Sequence, residues 1–430
     1  MYLVPCSIGC RNFFYPVYTV TVLYLPILHH NLATAIANGL EQIFTQNRYA
    51  DKVVPLLLQN NPKWGSRDRH TVAFTLYEMV RHWRLLCQTA GFETLYKPGK
   101  AQIWNILAVW ITVNHQPLPP FPELPALLPD DIMYRFTQLR KDDVQVRESV
   151  PEWLHQLGLQ QLGEKWNTEI SALNHTAPLI VRANRLKTNV QNLLTYFQNE
   201  QIPATALPDL PDALLLQSNR QVVKTRAYLN GWFEVQDAAS QMVAPFLDAQ
   251  PNMTVIDACA GAGGKTLHLA SLLNNQCTLL AYDPDTAKLA ELKKRAQRNG
   301  ANVQILLPNR HKTHWEKYWN QKADRLLLDV PCTGLGTLKR RPDIKWKLTP
   351  TMLNQLLQTQ AQLLNRYTNL LKNGGIAVYA TCSILPQENN RQIAQFIQQQ
   401  QGRFSLLNEK HIWPSETGFD GFYMAKLQKN

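Results

Sequence analysis

Acidic residues are in short supply. Against 44 Lys and Arg the 430-residue chain sets 32 Asp and Glu, leaving a formal net charge of +12 and a pI near 9.3. An excess of cationic side chains raises the local concentration of phosphate-bearing ligands, so a polyanion, nucleic acid first, is the expected partner. Cysteine is scarce too. The seven, at 6, 10, 87, 259, 277, 332 and 382, form no C-x-x-C pair and have no histidine at ligand spacing. A zinc site and a disulfide scaffold are thereby disfavoured, and free thiols in the reducing cytoplasm are expected. Long apolar runs are also lacking. Pro16 and Pro26 interrupt the longest, of about 17 residues, which is short for a membrane span. No basic segment followed by an apolar stretch and a small-residue cleavage site marks a signal peptide. Residues 1–30 read as a poorly packed extension, with no membrane partner and no metal.

What remains is ordinary globular composition, 45% hydrophobic and 18% charged, in a chain long enough for two or three domains. Residues 31–128 carry helical periodicity. Between 68 and 87, Val72, Leu76, Met79, Trp83 and Leu86 recur every three or four positions and predict one apolar helix face. Arg67, Arg69, Arg81, His82 and Arg84 lie in the same stretch and could contact RNA or form a solvated face. Six prolines in residues 117–129 read as a stiff connector ending this all-α domain. Residues 129–235 form a linking region. It begins with helices and then changes period: strand 179–183, helix 189–199 and strand 213–217 make a small α/β unit, either an RNA-binding layer or a spacer.

From 236 to 430 strands and helices take turns. Strands are expected at 254–257, 278–283, 301–307, 325–330 and 375–381, and helices at 265–273, 285–299 and 349–371, with a further helix and hairpin after 387. Such alternation predicts a doubly wound parallel sheet of Rossmann type, whose ligands sit beyond the carboxyl ends of the strands. Residues 255–270, VIDACAGAGGKTLHLA, place a glycine turn between a strand and a helix. A phosphate-binding P-loop would need glycine where Cys259 stands, and the dinucleotide fingerprint lacks its third glycine. Asp283, about 20 residues on, ends the next strand where a carboxylate can accept ribose hydroxyls. A glycine turn with that acid, lacking a phosphate loop, points to S-adenosylmethionine.

Two thiols follow the last two predicted parallel strands: Cys332 after 325–330 and Cys382 after 375–381. Consecutive strands are usually neighbours, so both should reach one edge of the sheet beside Asp329. A buried cysteine is usually an inert packing residue, but two at adjacent strand tips suit chemistry. Pyrimidine C5 is a poor nucleophile; a thiolate added at C6 makes it enolate-like and able to accept a methyl group. Asp329 could stabilise the base near N3, and the base must leave any stack to enter. The run KRRPDIKWK at 339–347 offers Lys339, Arg340, Arg341 and Lys345 around Trp346, a combination that suits single-stranded RNA or a solvated loop.

DACAGAGGKT at 257–266, DVPCTGLGTLKRRPDIKW at 329–346 and YATCSILPQEN at 379–389, with GWFEVQDAASQ at 231–241, resemble the Sun/Nop family of RNA cytosine-C5 methyltransferases over at least residues 178–430. The helical front end is similar to the NusB-like domain of that family's RsmB branch, whose substrate is small-subunit ribosomal RNA. The resemblance implies Cys382 as nucleophile, Cys332 in release of the methylated RNA, and Asp329 at the base. It assigns the cofactor to Cys259, Ala260, Gly261, Ala262, Gly263, Gly264, Lys265, Asp283 and Asp329. Asn309, in LLPNR at 306–310, stands where the family usually has an acid near the adenine. Ala260-Gly261-Ala262 replaces the common Ala-Ala-Pro. The expected activity is transfer of a methyl group from S-adenosylmethionine to a cytosine of 16S rRNA by a cytoplasmic monomer. The alternatives are the same reaction on tRNA, or an assembly factor that binds RNA without catalysis.

Overall fold

A computed structural model describes residues 28–94, 96–125, 128–141, 143–217, 222–308 and 314–430. Most of the expected N-terminal extension, residues 1–27, and Asn309 lie outside them.

Helices come first. α1 (His30–Phe44), α2 (Ala50–Asn60), α3 (Ser66–Arg81), α4 (Trp83–Thr89) and α5 (Lys100–Val113) pack around one core. In α1 the apolar residues at 32, 36, 40 and 43 recur every three or four positions, and all four are buried against α3 and α5. The helix expected over 68–87 is interrupted at His82, whose backbone leaves the helical region (φ −103°, ψ 23°). The break leaves Trp83 buried and stacked on Phe44, ring centroids 4.0 Å apart. Further helices run from Pro129–Lys141 to Lys165–Leu173.

Next comes a four-stranded antiparallel sheet in the order β2-β3-β1-β4, from β1 (Leu179–Ala183), β2 (Ala204–Ala206), β3 (Ala213–Leu216) and β4 (Phe233–Val235). Helix Val190–Asn199, opened by an Asn189 side-chain cap, packs against this sheet. β2 and β4 were not foreseen, because three residues carry no readable period.

The third layer is a seven-stranded sheet in the order β10-β11-β9-β8-β5-β6-β7. It contains β5 (Thr254–Asp257), β6 (Thr278–Tyr282), β7 (Gln304–Leu306), β8 (Ala323–Asp329), β9 (Leu371–Thr381), β10 (Phe404–Ile412) and β11 (Phe422–Lys429). β5 to β9 run parallel, and the C-terminal hairpin adds antiparallel to β9. Their side chains alternate between two cores. Ile256, Leu280, Leu326, Leu328 and Tyr379 enter one, and Val255, Leu279, Leu327 and Val378 enter the other. Burial on both faces explains why these strands read as unbroken apolar runs. Helices Gly264–Leu272, Thr286–Asn299 and Pro350–Tyr367 form crossovers between successive strands. This is a doubly wound Rossmann-like fold, as expected from the alternation.

Candidate active site

β5 delivers the chain into the glycine turn at residues 258–263. Gly263 is left-handed (φ 88°), and a Cβ there would lie 2.0 Å from Leu292 Cδ1, so only glycine lets the turn seat on helix Thr286–Asn299. A Cβ on Gly261 or Gly264 would meet nothing within 4 Å, which leaves open space in front of the turn and the helix N-terminus. Ala260 N–H donates to Tyr282 O (2.9 Å), and Ala262 O accepts from Arg295 (2.7 Å). Asp283, immediately after β6, accepts from Gly261 N (2.9 Å) and Asp285 N (2.9 Å) through different oxygens, each of which retains acceptor capacity. Open room, a helix N-terminus and a carboxylate with spare acceptors fit an adenosine-bearing sulfonium cofactor. Burial, then the charges of Asp257, Asp329 and Asp283, push the Cys259 thiol up, so it packs as a protonated side chain.

β8 ends on Asp329, whose Oδ2 accepts from Lys265 Nζ at 2.6 Å. Lys265 thus ties the glycine turn to the strand that carries the first thiol. β8 and β9 pair in parallel with Asp329 opposite Ala380, and a last bond runs from Val330 N to Ala380 O. Each strand then turns away, three and two residues later reaching Cys332 and Cys382. Their sulfurs are 3.3 Å apart. The contact with Cys382, then burial, then the Glu388 charge hold Cys332 well above the usual thiol range, which leaves it a proton to offer the Cys382 sulfur. Glu388 was missed in the sequence. It is fully buried beneath both thiol loops, bonded to Thr333, Ser383 and Gln360. An acid six residues after Cys382, in ILPQEN, was the available signal.

The basic run lies elsewhere than expected. Lys345 is 1% exposed, and its ammonium donates to Arg81 O (2.8 Å), Glu148 O (2.9 Å) and Asn174 Oδ1 (3.2 Å). Trp346 sits in the helical core with its indole N–H on Val80 O (2.8 Å). Lys339 donates to Gly418 O (2.6 Å), and Arg340 bonds Asp237 (2.7 Å), Asp420 (3.0 Å) and Pro178 O (3.1 Å). Lys339 is thus held within the C-terminal layer, while Arg340, Lys345 and Trp346 fasten that layer to its neighbours, in place of the RNA contact expected of all four; a sequence window cannot tell a solvated cation from one docked on carbonyls. Arg341 is half-exposed, 3.5 Å from Asp51. In the helical layer Arg81 donates to Leu338 O (3.1 Å) and Lys339 O (2.9 Å), Arg84 to Val150 O (2.9 Å), and Arg69 to three carbonyls of its own layer. His82 lies 3.8 Å from Glu78, and Arg67 is exposed. Among the described residues no cluster of three or more His, Cys, Asp or Glu could hold a metal, and no helix is long and apolar enough to cross a membrane.

A doubly wound sheet with a glycine turn, an acid at the next strand tip and reactive groups at two further tips defines a Rossmann-like methyltransferase. Residues 244–428 match the family model described as 16S rRNA methyltransferase RsmB/F, and residues 150–223 that of the RsmF/B-like ferredoxin-like domain. The chain is 30% identical over 430 residues to the ribosomal RNA small subunit methyltransferase B of Vibrio vulnificus, covering 93% of this chain and 99% of that one. It is 34% identical over 310 residues to the probable small subunit methyltransferase B of Synechocystis, covering 65% and 67%. The solved structure of PH0851 shares the fold, with a TM-score of 0.76 at 24% identity over 93% of this chain and 97% of that one. The chain belongs to the RsmB/F family of 16S rRNA methyltransferases.

Proposed function

We propose that this protein transfers a methyl group from S-adenosylmethionine to C5 of a cytosine in 16S rRNA, with Cys382 as nucleophile. The observation that carries the reading is the pair of sulfurs 3.3 Å apart, on the loops that follow two paired strands, one of which ends on the Asp329 held by Lys265 of the glycine turn. When bound, the cofactor supplies an electrophilic methyl group on a sulfonium sulfur. Residues 259–265 and Asp283 would hold it, the turn through backbone groups and the acid through ribose hydroxyls. Cys382, as thiolate, adds to C6 of a cytosine turned out of its stack and leaves C5 electron-rich. Asp329, held by Lys265, orients the base through its N3 edge. Once C5 carries the methyl group, its proton leaves to water, the C5–H electrons form the C5–C6 double bond, the C6–sulfur bond breaks and Cys382 departs as thiolate, hydrogen-bonded by the Cys332 thiol 3.3 Å away, which is how Cys332 assists release. Basic composition draws the RNA in, and the cytoplasm, where ribosomal RNA meets a reducing pool, suits two free thiols.

The test is incubation with radiolabelled methyl donor and either 16S rRNA or tRNA, using wild type, Cys382→Ala and Cys332→Ala, followed by denaturing electrophoresis. Label on cytosine C5 of 16S rRNA should fall by roughly 1,000-fold or more in Cys382→Ala. Cys332→Ala should instead hold protein on the RNA through denaturation. Label on tRNA alone would move the substrate, and tight RNA binding without label from wild type would favour an assembly factor.

A further inference from the structure

The pairing of β8 with β9 ends before either thiol is reached, so something other than the strand ladder must set the spacing of the two loops. One buried acid touches both. Glu388 accepts from Thr333 N (2.8 Å), Thr333 Oγ1 (2.5 Å), Gln360 Nε2 (3.0 Å) and Ser383 Oγ. Thr333 follows Cys332 and Ser383 follows Cys382. The two hydroxyls also face each other at 3.2 Å. Gln360 reaches Pro331 O (2.9 Å), so the residues on either side of Cys332 are bound to a single hub. On the other strand, Asn389 accepts from Thr381 Oγ1 (2.5 Å) and donates to Ser383 O (3.0 Å), closing the same pattern around Cys382.

A charged group at 0% exposure is costly unless its acceptors are filled. Four donors converge on these two oxygens, as an ionised carboxylate requires. An amide would keep its carbonyl on the Thr333 amide and Gln360, but its NH2 would force the Thr333 and Ser383 hydroxyls to accept and redirect their protons; an apolar side chain would leave the Thr333 amide unmatched. An acid receives all four donors at once.

We propose that Glu388 is a positioning residue for methyl transfer: by gripping Thr333 and Ser383 together, its carboxylate fixes the separation of the Cys332 and Cys382 sulfurs. The inference rests on the two-thiol chemistry proposed above. Its negative charge also contributes to holding the Cys332 proton in place, which gives an independent readout.

Glu388→Gln, Glu388→Asp and Thr333→Val are compared with wild type in two measurements. In the first, alkylation of each cysteine by iodoacetamide is followed by mass spectrometry against pH, without RNA. The midpoint for Cys332 should move to lower pH in Glu388→Gln and stay near wild type in Glu388→Asp, which keeps the charge. In the second, kcat for methylation, corrected for folded fraction by thermal melts, should fall roughly 10–100-fold in Glu388→Gln with KM for RNA unchanged. Should Glu388→Gln not fold, Thr333→Val carries the test, with a lower kcat and constant KM expected. Unchanged kcat in the folded variants, with an unmoved Cys332 profile, would reduce Glu388 to a structural residue and overturn the proposal. If wild type methylates no RNA, the two-thiol reading falls, while the alkylation profile still decides whether Glu388 controls Cys332.

Discussion

Asp257 closes β5 with 1% exposure, and burial pushes its carboxyl up to about 7, with the Asp329 charge adding and the Thr266 hydroxyl at 2.7 Å opposing. The folded state therefore holds a proton there that the unfolded chain releases near pH 4. Stability from this group is fully present below about pH 4 and lost as pH rises through about 7. Between pH 5 and 8 the melting temperature of wild type should fall more steeply than that of Asp257→Asn, which cannot ionise. The difference in unfolding free energy across that window should be on the order of a few kcal/mol. Parallel curves for the two proteins would mean that Asp257 stays ionised in the fold. Individual candidate residues were readable because each stands at the end of an apolar run: Asp283, Asp329 and Cys332 each end or follow a buried strand. Glu388 was not, because its partners Thr333 and Gln360 are 55 and 28 residues away.

Among the elements, the short turn carrying Leu335–Thr337 joins the first thiol to the C-terminal hairpin. Gly336 N–H donates to Cys382 O (2.9 Å), and its carbonyl accepts from Gly421 N (2.8 Å). A Cβ at Gly336 would fall 2.0 Å from Gly421 O, and neither backbone can yield without moving a thiol loop. Gly336→Ala should lower the unfolding free energy by about 1–3 kcal/mol, read from the urea midpoint at unchanged m-value, and should reduce methylation by more than the folded fraction accounts for. Activity tracking the folded fraction alone would separate the turn from the site. The five strands expected here lie in the sheet, with ends shifted by up to four residues: β9 begins at Leu371 and β7 spans only Gln304–Leu306. Strand identity follows from burial on both faces, whereas strand ends depend on where a neighbour stops offering hydrogen bonds.

At the scale of the whole molecule, the run from Lys339 to Lys347 docks the helical layer. Asp343 accepts from Ala50 N (2.8 Å), Lys347 bonds Ile43 O and Asn47 (3.0 Å), and Arg81 donates to the carbonyls of Leu338 and Lys339. Burial lowers the affinity of Lys345 for its proton, yet it retains three oxygen partners. Replacing it by Met strands those acceptors and should cost about 1–3 kcal/mol. Hydrogen exchange in Lys345→Met should speed up in α3 and α4 and stay slow in β5, β6 and β8. The slope of RNA affinity against salt should remain that of wild type, since the ammonium faces carbonyls rather than phosphate. A reduced slope would return Lys345 to the RNA surface.

Legible along the chain were the alternation of strand and helix, the glycine turn, the acid that follows β6 and the delivery of two thiols to adjacent tips. Each depends on local periodicity or on the rule that successive parallel strands lie side by side. What Lys339, Arg340, Lys345 and Trp346 face, and the place of Glu388 between the thiol loops, came from the packing of the layers. A side chain's partner is set by chain segments tens to hundreds of residues distant, and a charge reads the same in a window whether it meets water or a buried carbonyl.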